Sequence, residues 1–155
     1  MRSIVHPTAQ FNDRNQEEGG ALVEMAVTLP LVMLIMTGIF SFSVAIYQKL
    51  QLAEAVSNGG HYLAVDRGDT DPCQTVANAI YAAAPGLSSS SMTLSFNLDG
   101  TTSGASCPGS SGSANANMVA GGTGQITATY PCTLAVYGAS FSGCSLQTQI
   151  TEVIQ

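Results

Sequence analysis

The sequence predicts an α+β protein: a long N-terminal apolar helix leading into a small, disulfide-stapled domain with a second helix and a short antiparallel sheet. Three observations predict it. Residues 25–47 form one apolar run without a charged side chain. A capped helical stretch and then segments of alternating apolar and polar residues follow it. All four cysteines, Cys73, Cys107, Cys132 and Cys144, lie after the run and none before it.

As a helix rising 1.5 Å per residue, the run is roughly 34 Å long, enough to cross a bilayer core with slight tilt. A transmembrane segment is therefore expected at about residues 22–47. Residues 1–19 are polar, with no apolar period and no cap, and read as a disordered leader, the helix starting near Gly20. Pro30 removes a donor inside the run and is expected to kink or loosen it, which membrane helices tolerate. Glu24 stands at the lip. A carboxylate there is costly unless it has a partner, although the first turn of a helix favours an acid. Beyond the run, Leu52, Val56, Gly59 and Leu63 recur at 4-3-4 spacing, one apolar face of a helical continuation to about residue 65. Gly59 and Gly60 each cost a helix about 1 kcal/mol relative to alanine and mark a place for a break.

The rest of the chain, 66–155, reads as an extracytoplasmic domain. Asp71 is a good N-cap and Pro72 suits the first helical position. Val76, Ile80 and Ala83 or Ala84 make that helix's buried stripe, and Pro85-Gly86 ends it. Met92, Leu94, Phe96 and Leu98 alternate with Thr93, Ser95 and Asn97 as a half-buried strand. Residues 99–124 are rich in Gly, Ser, Ala and Asn, with only Met118 and Val119 to bury, and are expected to form a long exposed loop. A strand over 125–136, interrupted at Pro131, and a last one over 145–154, with Leu146, Thr148 and Ile150 on one face, complete the sheet.

Four cysteines on one side of an apolar segment point to two disulfides in an oxidising compartment. Of the three pairings, Cys132–Cys144 spans a short segment carrying Gly138 and Gly143 and is the easiest to close; Cys73–Cys107 follows by elimination. A metal site is disfavoured, because there is no Cys-x-x-Cys spacing and His61 has no companion histidine nearby. Asp66, Asp69 and Asp71, around Arg67 and Gly68, fall short of a calcium-loop pattern and read as a capped, solvated turn.

The net charge of −6 and pI ≈ 4.4 argue against a nucleic-acid partner, which would need a basic face. Charged residues make up 9%, against roughly 25% in an ordinary domain, as in exported surface proteins. Arg2 and Arg14 precede the run and Lys49 follows it; with the cysteines, this slight bias gives an N-in, C-out orientation. There is no Gly-x-Ser-x-Gly, phosphate loop or His-Glu-x-x-His. No enzyme and no cofactor are expected. Release by signal peptidase at Ala53-Glu54-Ala55 would require an apolar core of about 7–15 residues, shorter than this one.

Residues 18–26 (Glu-Gly-Gly-Ala-Leu-Val-Glu-Met-Ala), then Leu29-Pro30-Leu31 and Gly38-Ile39-Phe40, resemble the N-terminal segment of TadE-like proteins, pseudopilins or minor pilins of tight-adherence type IV pilus systems. Residues 47–55 and 59–64 are similar to that family's juxtamembrane helix. The resemblance implies a structural subunit held in the inner membrane, then assembled into, or priming, an extracellular adhesive filament. Its implied partners are further copies or other pilin subunits along the N-terminal helix, prepilin peptidase and a pilus assembly platform. It implies cleavage between Gly19 and Gly20, which makes Glu24 the fifth residue of the mature chain, where such a carboxylate meets a neighbour's terminal amine. The alternative is a permanent bitopic protein that docks pilus or secretion machinery without entering the filament.

Overall fold

The first helix, α1 (Arg14–Val65), runs unbroken for 52 residues and organises everything after it. The computed structural model describes residues 14–66, 68–107, 118–132, 134–136, 139–141 and 143–155. The helix begins at Arg14 rather than near Gly20, so residues 14–19 of the expected leader are helical; residues 1–13 lie outside the described part. Asn, Gln and Glu carry no β-branch or ring at residues 15–18 to oppose extension, and Gln and Glu are good helix formers. The helix also continues through Pro30.

From Leu52 onward α1 becomes the spine of the domain. Leu52, Ala55, Val56, Leu63 and Ala64 are buried, the face that the 4-3-4 spacing marks out. Gly59 and Gly60 do not break the helix. A Cβ at Gly59 would come within 2.7 Å of Ile80 Cδ1, and one at Gly60 within 3.1 Å of Glu152 Cγ and 3.3 Å of Ile150. The two glycines thus let a helix approach on one side and a strand on the other. That burial outweighs their poor intrinsic propensity.

The second helix, α2 (Pro72–Ala83), packs on α1 through Val76, Ala77 and Ile80, with Ala84 buried just past its end. A short 3-10 turn (Ser89–Ser91) leads to β1 (Thr93–Leu98), whose Leu94, Phe96 and Leu98 point into the core. Next come β2 (Thr101–Ser103), β3 (Thr123–Pro131), β4 (Leu134–Val136), β5 (Ala139–Phe141) and β6 (Ser145–Val153). The main sheet is antiparallel in the order β2-β1-β3-β6; β4 and β5 form a separate hairpin. Phe96 stands opposite Ile126, and Ile126 opposite Ile150, so one cross-strand row faces the helices.

Two expectations for the sheet change. The segment 99–124 is not wholly loop: its start forms β2, and its end supplies the first residues of β3. Asp99 (φ 47°) and Gly100 (φ 89°) both adopt positive φ, and Asn97 Oδ1 accepts from Gly100 N at 3.0 Å. This two-residue Asp-Gly turn is a strong hairpin signal. Of the two apolar residues in that segment, Met118 is buried but Val119 is exposed; residues 108–117 lie outside the described part. The strand expected over 125–136 is two strands. β3 ends at Pro131, which has no N–H to donate, and β4 pairs with β5 instead.

Cys73 is joined to Cys107, with Cα atoms 5.3 Å apart, tying the start of α2 to the segment after β2. Cys132 is joined to Cys144, with Cα atoms 5.2 Å apart, closing the β4–β5 hairpin, and Cys132 N donates to Cys144 O at 3.2 Å.

The sequence separations are 34 and 12 residues. On chain-entropy grounds the longer loop is worth about 4 kcal/mol and the shorter about 3. Replacing Cys73 and Cys107 by serine should therefore lower the domain's unfolding temperature more than replacing Cys132 and Cys144, read by thermal unfolding in detergent. Gly59→Val should destabilise by about 1–3 kcal/mol, because Ile80 and Val76 cannot both move aside. In the same assay Gly60→Ala should be near neutral, its helix-propensity gain of up to about 1 kcal/mol offsetting a mild crowding against β6.

Candidate functional site

Two regions carry chemistry or exposed surface: the outer half of α1 and the acidic turn between the helices. In the outer half, an apolar helical stretch is left uncovered. Leu22 is 72% exposed, Met25 65% and Phe40 73%. The span Gly19–Val65 is long and apolar enough to cross a membrane, and its most apolar window has none of its surface buried within the chain. Water does not tolerate such a stripe: monomeric proteins seldom expose contiguous apolar patches beyond a few hundred Å². Three of its hydroxyls donate back into the helix. Thr28 Oγ1 donates to Glu24 O at 2.9 Å, Thr37 Oγ1 to Met33 O at 2.9 Å and Ser43 Oγ to Ile39 O at 2.8 Å. These bonds spare the apolar surface an unpaired donor.

Gly19, Gly20 and Glu24 lie together at the outer end of this stretch. No atom comes within 4 Å of a Cβ built at either glycine. Glu24 is exposed, and no side-chain partner reaches its carboxylate among the described residues. The helical rise explains the isolation: the first buried residue of α1, Leu52, lies about 42 Å along the axis from Glu24. Helical periodicity does put Gly20 and Glu24 on one face, one turn apart.

The acidic turn is built differently. Asp71 caps α2, its Oδ1 accepting from Gln74 N at 3.0 Å and from Cys107 N at 3.0 Å, while Oδ2 accepts from Ser106 Oγ at 2.7 Å. Partial burial pushes the Asp71 carboxyl up, but the bonds from Ser106, Cys107 and Gln74 outweigh it and hold the group below its ordinary value. Asp69 is held low by the Thr75 hydroxyl at 2.6 Å, aided by Thr70 N at 2.7 Å. Asp66 moves the other way: burial raises it and the charge of Asp69 adds to the rise. Each of the two low carboxylates is committed to hydrogen bonds that shape the turn. Among the described residues no group of three or more His, Cys, Asp or Glu is arranged to hold a metal ion.

Sequence reasoning missed the partners of Asp71. Its cap was legible, but the bonds to Ser106 and Cys107 reach 35 and 36 residues along the chain, beside the Cys73–Cys107 bridge, and no local pattern shows them. It also missed a groove beside the turns of α1 just before its buried half, where Leu134 and Leu146 of the sheet domain stand across from Ile46 and Leu50. Those leucines look like ordinary strand residues in sequence. His61 is exposed and lines only a shallow hollow with Tyr62 and Val65.

Fold and site together define a helix long and apolar enough to cross a membrane, fused to a small, disulfide-stapled α+β domain. Residues 19–61 match the model of the family described as TadE-like protein, so the chain carries a TadE-like domain over its apolar helix and the start of the spine. No curated protein matches the chain, and no solved structure does.

Because the Asp71 carboxyl is depressed in the folded state, its contribution is fully present above the unfolded value near 3.8 and is lost as pH falls through the lower native one. Asp71→Ala should cost about 1–2 kcal/mol at pH 7, through loss of the cap and of the link to Ser106. The gap between parent and mutant should narrow at pH 3. Thermal unfolding at the two pH values checks both statements.

Proposed function

We propose that this protein is a structural subunit, not an enzyme, of a tight-adherence, type IV-like pilus system. It is held N-in, C-out in the inner membrane and then enters, primes or builds an extracellular adhesive filament through α1. The observation that carries the reading is the bare apolar half of α1, lying within the segment that matches the TadE-like family and continuous with the spine of the folded domain. A helix that exposes this much apolar surface needs either lipid or other such helices around it. One helix can use both in turn without refolding, because all its backbone hydrogen bonds are internal.

Processing by prepilin peptidase between Gly19 and Gly20 fits the same picture. The two adjacent glycines lower the cost of unwinding α1 here, by about 1 kcal/mol per residue relative to alanine. The cut creates an amine at Gly20, and Glu24 then has a group to pair with on a neighbouring subunit in an apolar helix bundle. A carboxylate in such surroundings is stable only when paired, which makes Glu24 a selector of register during subunit addition. The assembly platform and further pilin subunits are the partners this scheme requires.

Intact-mass measurement of filament-borne protein should give a chain beginning at Gly20, and Gly19→Leu should leave a full-length membrane species. An unprocessed chain in the filaments would instead favour a permanent bitopic protein that docks pilus or secretion machinery. Glu24→Gln should leave insertion and processing intact yet reduce incorporation, since removing one member of a buried ion pair costs about 3–5 kcal/mol. The ratio of sheared to membrane-retained protein reads this out, and an unchanged ratio would reduce Glu24 to a solvated acid at the helix start.

A further inference from the structure

Where α1 leaves its bare half and meets the domain, a cavity of ≈ 500 Å³ opens between the helix and the sheet domain, lined by Ala45, Ile46, Lys49 and Leu50 of the helix, with Phe42 below them, and by Leu134 and Leu146 on the other side. Its walls are almost wholly apolar, and Lys49 is the one charged residue among them. No side-chain partner holds the Lys49 ammonium among the described residues. Its depth follows from the proposed membrane-spanning reading, on which this inference rests. With Glu24 at one headgroup layer, Lys49 lies about 38 Å further along the helix, close to the ~40–45 Å that separates the two headgroup regions. Ile46 and Phe42 then fall at and just inside the edge of the hydrocarbon, one and two turns below a cation at phosphate height.

We propose that this groove binds one anionic phospholipid, the upper part of an acyl chain lying between α1 and Leu134 and Leu146, and the phosphate on Lys49. The groove opens directly onto the stretch of helix that lipid tails surround, and its lone cation stands where an anionic headgroup lies. Lipid there covers apolar surface that the domain leaves bare and gives Lys49 a counter-charge in an otherwise acidic protein. The geometry holds for either orientation across the membrane, since the groove sits at the domain end of the span in both.

The test uses the full chain in nanodiscs containing equal phosphatidylglycerol and phosphatidylcholine, transferred to mild detergent and weighed by native mass spectrometry. The parent should retain one phospholipid, phosphatidylglycerol over phosphatidylcholine by about fivefold, the factor expected for one basic side chain near an anionic surface. Lys49→Gln should bring that ratio to about one, and Ala45→Trp, which fills the groove from the helix side, should abolish retention of both lipids. Bare protein, retention unaffected by Ala45→Trp, an undiminished preference in Lys49→Gln, or a second copy of the chain in place of lipid would each overturn the proposal. Flotation with vesicles separates the two readings. If the parent does not float, the membrane-spanning reading fails; if it floats without retaining lipid, only the groove assignment fails.

Discussion

The domain depends on one packing constraint: among the described residues, the inner face of α1, from Leu52 to Ala64, is the long apolar surface against which α2 and the sheet close together. Leu63 lies over Gly124 of β3, where a Cβ would come within 2.8 Å of its Cδ2, so a side chain at that position in the strand would push the sheet away. Gly59 does the same for α2 and Gly60 for β6. Close approach on three sides of one helix is what makes a core out of a sheet with only four strands. Without the helix, β1 and β3 would present Leu94, Phe96 and Ile126 to water.

The same constraint explains why the anchor and the domain are one element and not two joined by a linker. Burial of the inner half holds α1 helical through its glycine pair, and internal hydrogen bonding holds the outer half helical through Pro30. The disulfides fasten this arrangement, the Cys73–Cys107 bridge from within the core itself. One fastens the start of α2 to the strand-bearing half; the other closes a hairpin that has little core of its own. The acidic turn adds a polar clasp, with Asp71 joining a helix N-terminus to Ser106 and Cys107 across the first bridge.

Much of this was legible in the sequence because the signals are local. The apolar run, the 4-3-4 face, the Asp71-Pro72 start of α2 and the alternation in β1 and β6 each show within a few turns or a few strand residues. What sequence reasoning lost was either overridden or distant. Gly59-Gly60 reads as a breaking point by propensity, yet the space beside those residues is taken by Ile80 and Ile150, which no local pattern shows. The Asp99-Gly100 hairpin was within reach, but the glycine- and serine-rich composition of 99–124 hid it. Gly19, Gly20 and Glu24 of the outer helix, on which the proposed processing and pairing rest, stood out because they lie just ahead of the apolar run. The groove beneath Leu134 did not, since its walls come from segments nearly a hundred residues apart.

The unbroken course of α1 also has a mechanical meaning. Among the described residues, the domain is joined to the outer helix through buried side chains along the helix axis, and β6 returns to that axis at its far end. Ile154 is buried and Gln155 N donates to Ala64 O at 2.9 Å. Tension drawn along the axis therefore meets the domain in shear, across many side chains at once, instead of unzipping one strand after another. The spine carries the load, and the sheet rides on it as cargo.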